Sequence, residues 1–397
     1  MKRSVSRTGK DRIEKSRVGK RRAGLAGVAK VLGVVWVMGL AGLPAGCTSK
    51  NPSYCESQGY CSDDPANGLP DLVGDPELPD LQGVLLDLQA GGDLARDLGG
   101  GTTDLSAPSF DPGVAGPEKT VSFDLQLRLA RGTVSVTVIG PTDDGKEITL
   151  RAAPRPLVLI SPGFTVDRKQ YASYGTRLAT YGLVAVLQKA GSEFNHATYR
   201  DLTIELLNWL GAPTGSDAAR IKGRVDLTRV GLAGHSLGGK ISILVAAQDT
   251  RVKALLGIDP VDANTPAALP EIGKIKLPTG VPMGFLGETI SKTGGMPCAP
   301  ASGNYEVLYS EAAAPAFAIT LVDAAHNDFV DNFAGCPTCG FCRGGTAPKD
   351  RTNRLAVKYT AAYFLWALQG DTRARDYFSG AAFQKDITDG YISRVAK

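Results

Sequence analysis

The chain has 397 residues, of which 43% are hydrophobic, enough for a sizeable core in one large domain or two average ones. The formal net charge of +4 is unevenly placed: residues 1–30 hold 11 Lys/Arg against 2 acidic residues, which leaves 33 basic against 38 acidic residues elsewhere. The basic excess belongs to one end, so the charge does not describe a nucleic-acid-binding surface and no nucleic-acid partner is expected.

That basic end is followed by "VLGVVWVMGLAGL" (31–43), 13 residues without a charge. The run falls short of the roughly 20 residues of a comfortable transmembrane helix and fits the apolar region of a signal peptide. It closes on "PAGC", which resembles the lipobox of bacterial lipoproteins, with Pro44 where Leu is usual. The resemblance implies cleavage after residue 46 and acylation of Cys47. Residues 1–46 are therefore expected to be a signal peptide, and the mature chain a lipoprotein anchored in the bacterial cell envelope. Secretion without an anchor and an uncleaved signal anchor are the alternatives, and Arg21-Arg22 is a weak twin-arginine export signal.

Residues 47–117 are rich in Gly, Pro, Asp and Leu, and Asp-Leu recurs at 71, 80, 87, 93, 97 and 104. No helical or alternating period survives the Gly-Gly and Pro breaks. Such a segment buries too little apolar surface to offset its ordering entropy, so it reads as a flexible, lipidated tether. Cys55 and Cys61 are placed to close a small loop in an oxidising compartment.

From residue 118 to 397 the texture is that of a folded α/β domain. "TVSVTVI" (133–139) alternates like a half-exposed strand, and "PLVLISP" (156–162) is a continuous apolar run like a buried parallel strand. A helical pattern around "YASYGTRLATYG" precedes the apolar run 183–188, and a second helix is expected over 197–210. Strand 229–234 leads into a helix over 237–248; further apolar runs lie at 254–259, 281–287 and 316–324, and a last helix at 352–368. Strands alternating with helices predict an α/β fold, a mostly parallel central sheet flanked by helices.

The strand-to-helix junction reads "VGLAGHSLGGK", a G-x-S-x-G match centred on Ser236. A serine on a sharp strand-to-helix turn exposes its oxygen at the strand ends, and the flanking glycines remove side chains that would collide there. A serine nucleophile needs a base. The chain has three histidines: His235 adjoins the serine, His196 precedes it, and only His326 fits the order serine, acid, histidine. The acid stays open between Asp259 and Asp262 in "LLGIDPVDANT" and Glu288 in "GFLGETISK". Asp259 sits at a strand tip, whereas Asp262 reads as a residue that solvates or caps the loop. An oxyanion hole would take the N–H of Leu237, just after the serine, and that of Phe164 in "SPGFTVDRKQY".

Four segments, "GHSLGGK", "LLGIDPVDA", "MPCAP" and "AAHNDFVDN", stand in the order found in chlorophyllases, and the resemblance covers roughly 150–370. Plant chlorophyllases also carry a Cys-rich stretch after the histidine, much like "CPTCGFC" here. Leu237 stands where they usually have Arg, and Ala325 where they have Gly. The "SPGF" loop and "LATYGLVAVL" are similar to platelet-activating-factor acetylhydrolases and cutinase-like polyester hydrolases. The resemblance implies Ser236 as nucleophile, Asp259 as acid and His326 as base of a carboxylic-ester hydrolase that needs neither metal nor cofactor.

Cys298, Cys336, Cys339 and Cys342 could hold zinc or an iron–sulfur cluster, but an exported chain favours two disulfides, with the connectivity open. The leading expectation is a monomeric serine esterase acting on a small-molecule or lipid ester of hydrophobic character. A non-catalytic surface binding protein on a hydrolase scaffold, and a hydrolase of a polyester, phospholipid or peptide, are the alternatives.

Overall fold

A computed structural model describes residues 110–190, 193–262, 272, 279–293, 297–332, 336 and 339–397. The expected signal peptide, Cys47, Cys55, Cys61 and most of the expected tether lie outside the described residues. In chain order the strands are β1 (Thr120–Leu129), β2 (Gly132–Pro141), β3 (Arg155–Ser161), β4 (Val184–Ala190), β5 (Val225–His235), β6 (Val252–Ile258), β7 (Met283–Glu288), β8 (Ala316–Leu321) and β9 (Ile392–Ala396). The helices are α1 (Ala172–Thr180), α2 (His196–Gly211), α3 (Leu237–Ala246), α4 (Tyr305–Glu311), α5 (Lys349–Gln369), α6 (Thr372–Ser379) and α7 (Ala381–Thr388).

The strands form one sheet in the order β1-β2-β4-β3-β5-β6-β7-β8-β9. Neighbours from β4 through β8 run parallel, and the pairs β1/β2, β2/β4 and β8/β9 are antiparallel. Alternation along β3 shows why a parallel strand must be apolar throughout. Leu157 and Leu159 join the core made with α2 and α3, while Val158 and Ile160 join the core made with α1 and α5. Each fully buried Leu or Ile contributes about 2 kcal/mol of transfer free energy. The chain order reverses around β3, which lies between β4 and β5, and in open α/β sheets such a switch point opens a crevice at the carboxyl ends of the strands. The turns after β3 and β5 both leave at that crevice.

Five elements lie outside the sequence expectation. β1 is a clean alternating edge strand, with Phe123, Leu125 and Leu127 buried and Asp124, Gln126 and Arg128 facing solvent. α4 is a helix of 7 residues, α6 and α7 of 8 residues each, and β9 a strand of 5. α5 is therefore not the last element: α6, α7 and β9 follow it, β9 covering the free edge of β8. Elements so short show little period of their own and depend on packing. α5 itself runs three residues further back than expected, to Lys349, and stops at Gly370, whose left-handed φ of 70° lets its N–H close on Trp366 O at 3.0 Å. The end of the expected tether also packs on this body. Phe110 stacks edge-on against Tyr181 and Tyr377, and its carbonyl accepts from Tyr377 Oη at 2.9 Å.

Candidate active site

Ser236 occupies the turn between β5 and α3 with φ 54° and ψ −121°. A non-glycine residue there carries strain of about 1–3 kcal/mol and persists because its surroundings hold it. Ser236 N–H donates to Ile258 O at 3.1 Å, and Ser236 O accepts from Val261 N at 3.1 Å, so the turn is clamped to the end of β6. The glycines are there for space: a Cβ on Gly234 would lie 2.2 Å from the Gly238 backbone, and one on Gly238 would lie 2.1 Å from Ser161 O.

Asp259 is the residue after β6, fully buried, with φ 42° and its N–H bonded to Leu286 O at 2.7 Å. Its Oδ2 lies 2.6 Å from Nδ1 of His326, which opens a 3₁₀ turn (His326–Phe329) after β8. His326 N–H donates to Ser291 Oγ at 2.9 Å. The His326 carbonyl lies 2.9 Å from Nε2 of His235, which sets the His326 turn beside the residue preceding Ser236. Burial disfavours charge on both partners of the Asp–His pair. It pulls the His326 imidazole down to about 4, so that the ring is neutral at neutral pH. Burial pushes the Asp259 carboxyl up; Lys292 opposes that shift and Glu306 adds to it.

The other two acids are engaged elsewhere. Asp262 is not a solvating loop residue, as its sequence suggested: it is buried, with Oδ1 2.6 Å from Lys240 Nζ and Oδ2 accepting from Ile272 N at 2.9 Å. Glu288 ends β7 and turns its carboxylate onto the N–H groups of Ile290 and Ser291, the latter at 2.8 Å. Burial, reinforced by the nearby Asp259 charge, pushes Glu288 up to about 8, against the backbone donors and Lys292. A carboxyl raised from its unfolded value of 4.5 to about 8 contributes stability that is complete below pH 4.5 and is lost as pH rises through 8. Glu288→Gln should therefore match wild type near pH 4.5 and exceed it by on the order of 4 kcal/mol near pH 8. Urea unfolding at both pH values checks this, and parallel wild-type and variant profiles would refute it.

The loop after β3 lies directly against the Ser236 turn, since a Cβ on Gly163 would be 3.3 Å from the Ser236 Cβ. Gly163 N–H donates to Tyr171 Oη at 3.1 Å, and Thr165 N–H to Glu193 Oε1 at 2.9 Å. Among the described residues, neither Phe164 N–H nor Leu237 N–H has a protein acceptor. Leu237 is the first residue of α3, where backbone N–H groups lack intrahelical partners.

Sequence reasoning missed the scaffold around His326. Asp328 Oδ2 accepts from Ala325 N at 2.9 Å, and Asp331 Oδ2 accepts from Ser173 N at 3.0 Å in the first turn of α1. Tyr174 Oη donates to Phe329 O at 2.7 Å, and Asn327 Nδ2 to Cys339 O at 2.8 Å. Asp328 thus closes the His326 turn on itself, while Asp331 fastens the segment after it to α1. The cysteines pair as Cys298–Cys342 and Cys336–Cys339, so none of the four is a thiolate ligand for a metal. His196, the remaining histidine, opens α2.

A mostly parallel sheet flanked by helices, with a serine on the strand-to-helix turn beside the switch point, defines an α/β-hydrolase fold. The model of the chlorophyllase family matches residues 117–379, and the chain belongs to that family. It is 27% identical over 243 residues to chlorophyllase-2 of Arabidopsis thaliana, covering 55% of this chain and 75% of that one. It is 24% identical over 257 residues to chlorophyllase type 0 of Chenopodium album, covering 54% and 72% of the two chains. A bis(hydroxyethyl) terephthalate hydrolase of Streptomyces coelicolor is 30% identical over 153 residues, covering 38% of this chain and 44% of that one. These relationships place the chain in a superfamily of ester hydrolases.

Proposed function

We propose that the protein is a serine carboxylic-ester hydrolase acting through an acyl-enzyme. The observation that carries this is the buried pair of His326 Nδ1 and Asp259 Oδ2, 2.6 Å apart, beside the strained Ser236 turn. Asp259 holds His326 as the Nδ1–H tautomer, which leaves Nε2 as the base. Ser236 Oγ attacks the ester carbonyl as Nε2 takes its proton. The N–H groups of Phe164 and Leu237 stabilise the resulting oxyanion, a contribution of about 3 kcal/mol per donor. His326 returns the proton to the leaving alcohol, and water, activated by the same nitrogen, releases the acid and restores Ser236.

A hydrophobic ester suits the rim of the site. The Phe164 ring meets Phe194 edge-to-face at 5.1 Å, and Phe194 is 58% exposed. Chlorophyll-like and aromatic diester substrates are the two classes that the relatives' names suggest. The two disulfides suit an oxidising compartment, as an exported, lipid-tethered enzyme would require. A fluorophosphonate probe should label wild type once, at Ser236, and abolish p-nitrophenyl ester turnover in step with labelling, while Ser236→Ala takes up none. Turnover that survives full labelling, or no labelling at all, would favour the non-catalytic binding protein.

A further inference from the structure

His235 is buried, and both of its ring nitrogens are engaged: Nδ1 with Tyr171 Oη at 2.7 Å and Nε2 with His326 O at 2.9 Å. A carbonyl only accepts, so Nε2 carries the ring proton. Burial, with His326 and Lys349 nearby adding to it, keeps the imidazole neutral; only the bond to the His326 carbonyl opposes this. Nδ1 is then bare and must accept the Tyr171 hydroxyl proton. The same hydroxyl oxygen accepts from Gly163 N–H at 3.1 Å. Every proton is assigned, and the bonds run one way: Gly163 N–H to Tyr171 Oη, Tyr171 O–H to His235 Nδ1, His235 Nε2–H to His326 O. One end of this chain fixes the Pro162–Gly163 peptide, the one just before the peptide that carries the Phe164 N–H, and the other fixes the backbone of the base.

We infer that Tyr171 and His235 form a positioning relay that locks the oxyanion loop and the His326 turn to each other across the nucleophile turn. The packing supports this. The His235 and His326 ring centroids are 4.6 Å apart, and a Cβ on Gly163 would come within 3.0 Å of His235 Nδ1. His326 is thereby held at its N–H by Ser291, at its carbonyl by His235 and at Nδ1 by Asp259, which leaves Nε2 as the one ring position open for proton transfer. Hydrogen bonds that share one polarity strengthen one another, and loss of the middle member strands two buried groups.

The inference rests on the ester-hydrolase reading, and the test separates the two. Active sites are first counted with the fluorophosphonate probe; a wild type that takes up no probe counts against the hydrolase and not against the relay. In Tyr171→Phe, kcat per titrated site should fall on the order of 10- to 100-fold with KM nearly unchanged, because only transition-state contacts are misplaced. His235→Asn places a carbonyl near the former Nδ1, and His235→Gln places an amide donor near the former Nε2. Each keeps half of the relay, so each should lose kcat per site, and adding Tyr171→Phe should cost less than the product of the single losses. A merely structural role would lower the melting temperature and the titratable fraction while leaving kcat per titrated site at the wild-type value, which overturns the relay. A second measurement needs no variant. Nitrogen NMR of the histidine-labelled wild type, which has three histidines, should show His235 as the neutral Nε2–H tautomer at pH 7. An Nδ1–H tautomer or an imidazolium at that position overturns the proposal whatever the activity.

Discussion

Asp259→Asn is expected to lower kcat by about 10⁴-fold while the protein stays folded and KM moves little. The carboxylate Oδ2 accepts the Nδ1 proton of His326 at 2.6 Å. An amide in that place presents N–H₂ towards Nδ1, forces the ring proton to Nε2, and so occupies the nitrogen that receives the Ser236 proton in the proposed mechanism. The fold should tolerate the change because Asp259 has φ 42°, a region that asparagine adopts more readily than most residues. The amide also removes the cost of a buried carboxylate, so thermal stability should hold or rise. Steady-state ester hydrolysis, scaled to active sites counted by a slow burst, measures the loss. A loss under about tenfold would return Glu288 to consideration, since it is the other buried carboxyl at the end of a neighbouring strand. Glu288→Gln in the same assay decides this, and the bonds of Glu288 to the Ile290 and Ser291 N–H groups predict that its turnover is retained.

The sequence was informative where the constraint is local and less so where it is relational. The strand-to-helix turn at Ser236 was legible because flanking glycines at such a junction mark a close backbone approach, and His326 was singled out because the two other histidines do not follow the serine in chain order. Asp259 and Asp262 could not be separated by period, since both lie in the irregular segment that follows β6. What distinguishes them is a left-handed turn at Asp259 and an ion pair at Asp262, and both depend on elements far away in sequence. The parallel strands were legible from their apolar runs. β1 alternates strictly and was within reach of the same reasoning, whereas α4, α6, α7 and β9 are too short to announce themselves. Four cysteines permit three pairings, and only the fold brings Cys298 to Cys342 across 44 residues of sequence.

Asp262→Asn is expected to cost about 3 kcal/mol or more of folding stability while leaving turnover per folded molecule within a few-fold of wild type. Lys240 lies in the first turns of α3, four residues after Ser236, with a side chain 0% exposed; its ammonium meets the Asp262 carboxylate, 7% exposed, at 2.6 Å. Burying both ions already carries a desolvation cost that their attraction offsets. Removing the negative partner leaves the ammonium's burial uncompensated by its carboxylate, and that, rather than the worth of the bond itself, sets the size of the effect. The pair lies where two of the motif segments meet. A Cβ on Gly239 would come 2.5 Å from Pro260, and Val261 N–H bonds Ser236 O at 3.1 Å. "GGK" and "DPVD" are thus the two halves of one contact, which ties α3 to the segment bearing Asp259. If that account is right, Lys240→Met combined with Asp262→Asn should recover most of the loss, because the buried charge leaves along with its partner. Denaturant midpoints of wild type, both single variants and the double variant measure the coupling. A double variant that is as unstable as the sum of the singles would show that the two residues act separately.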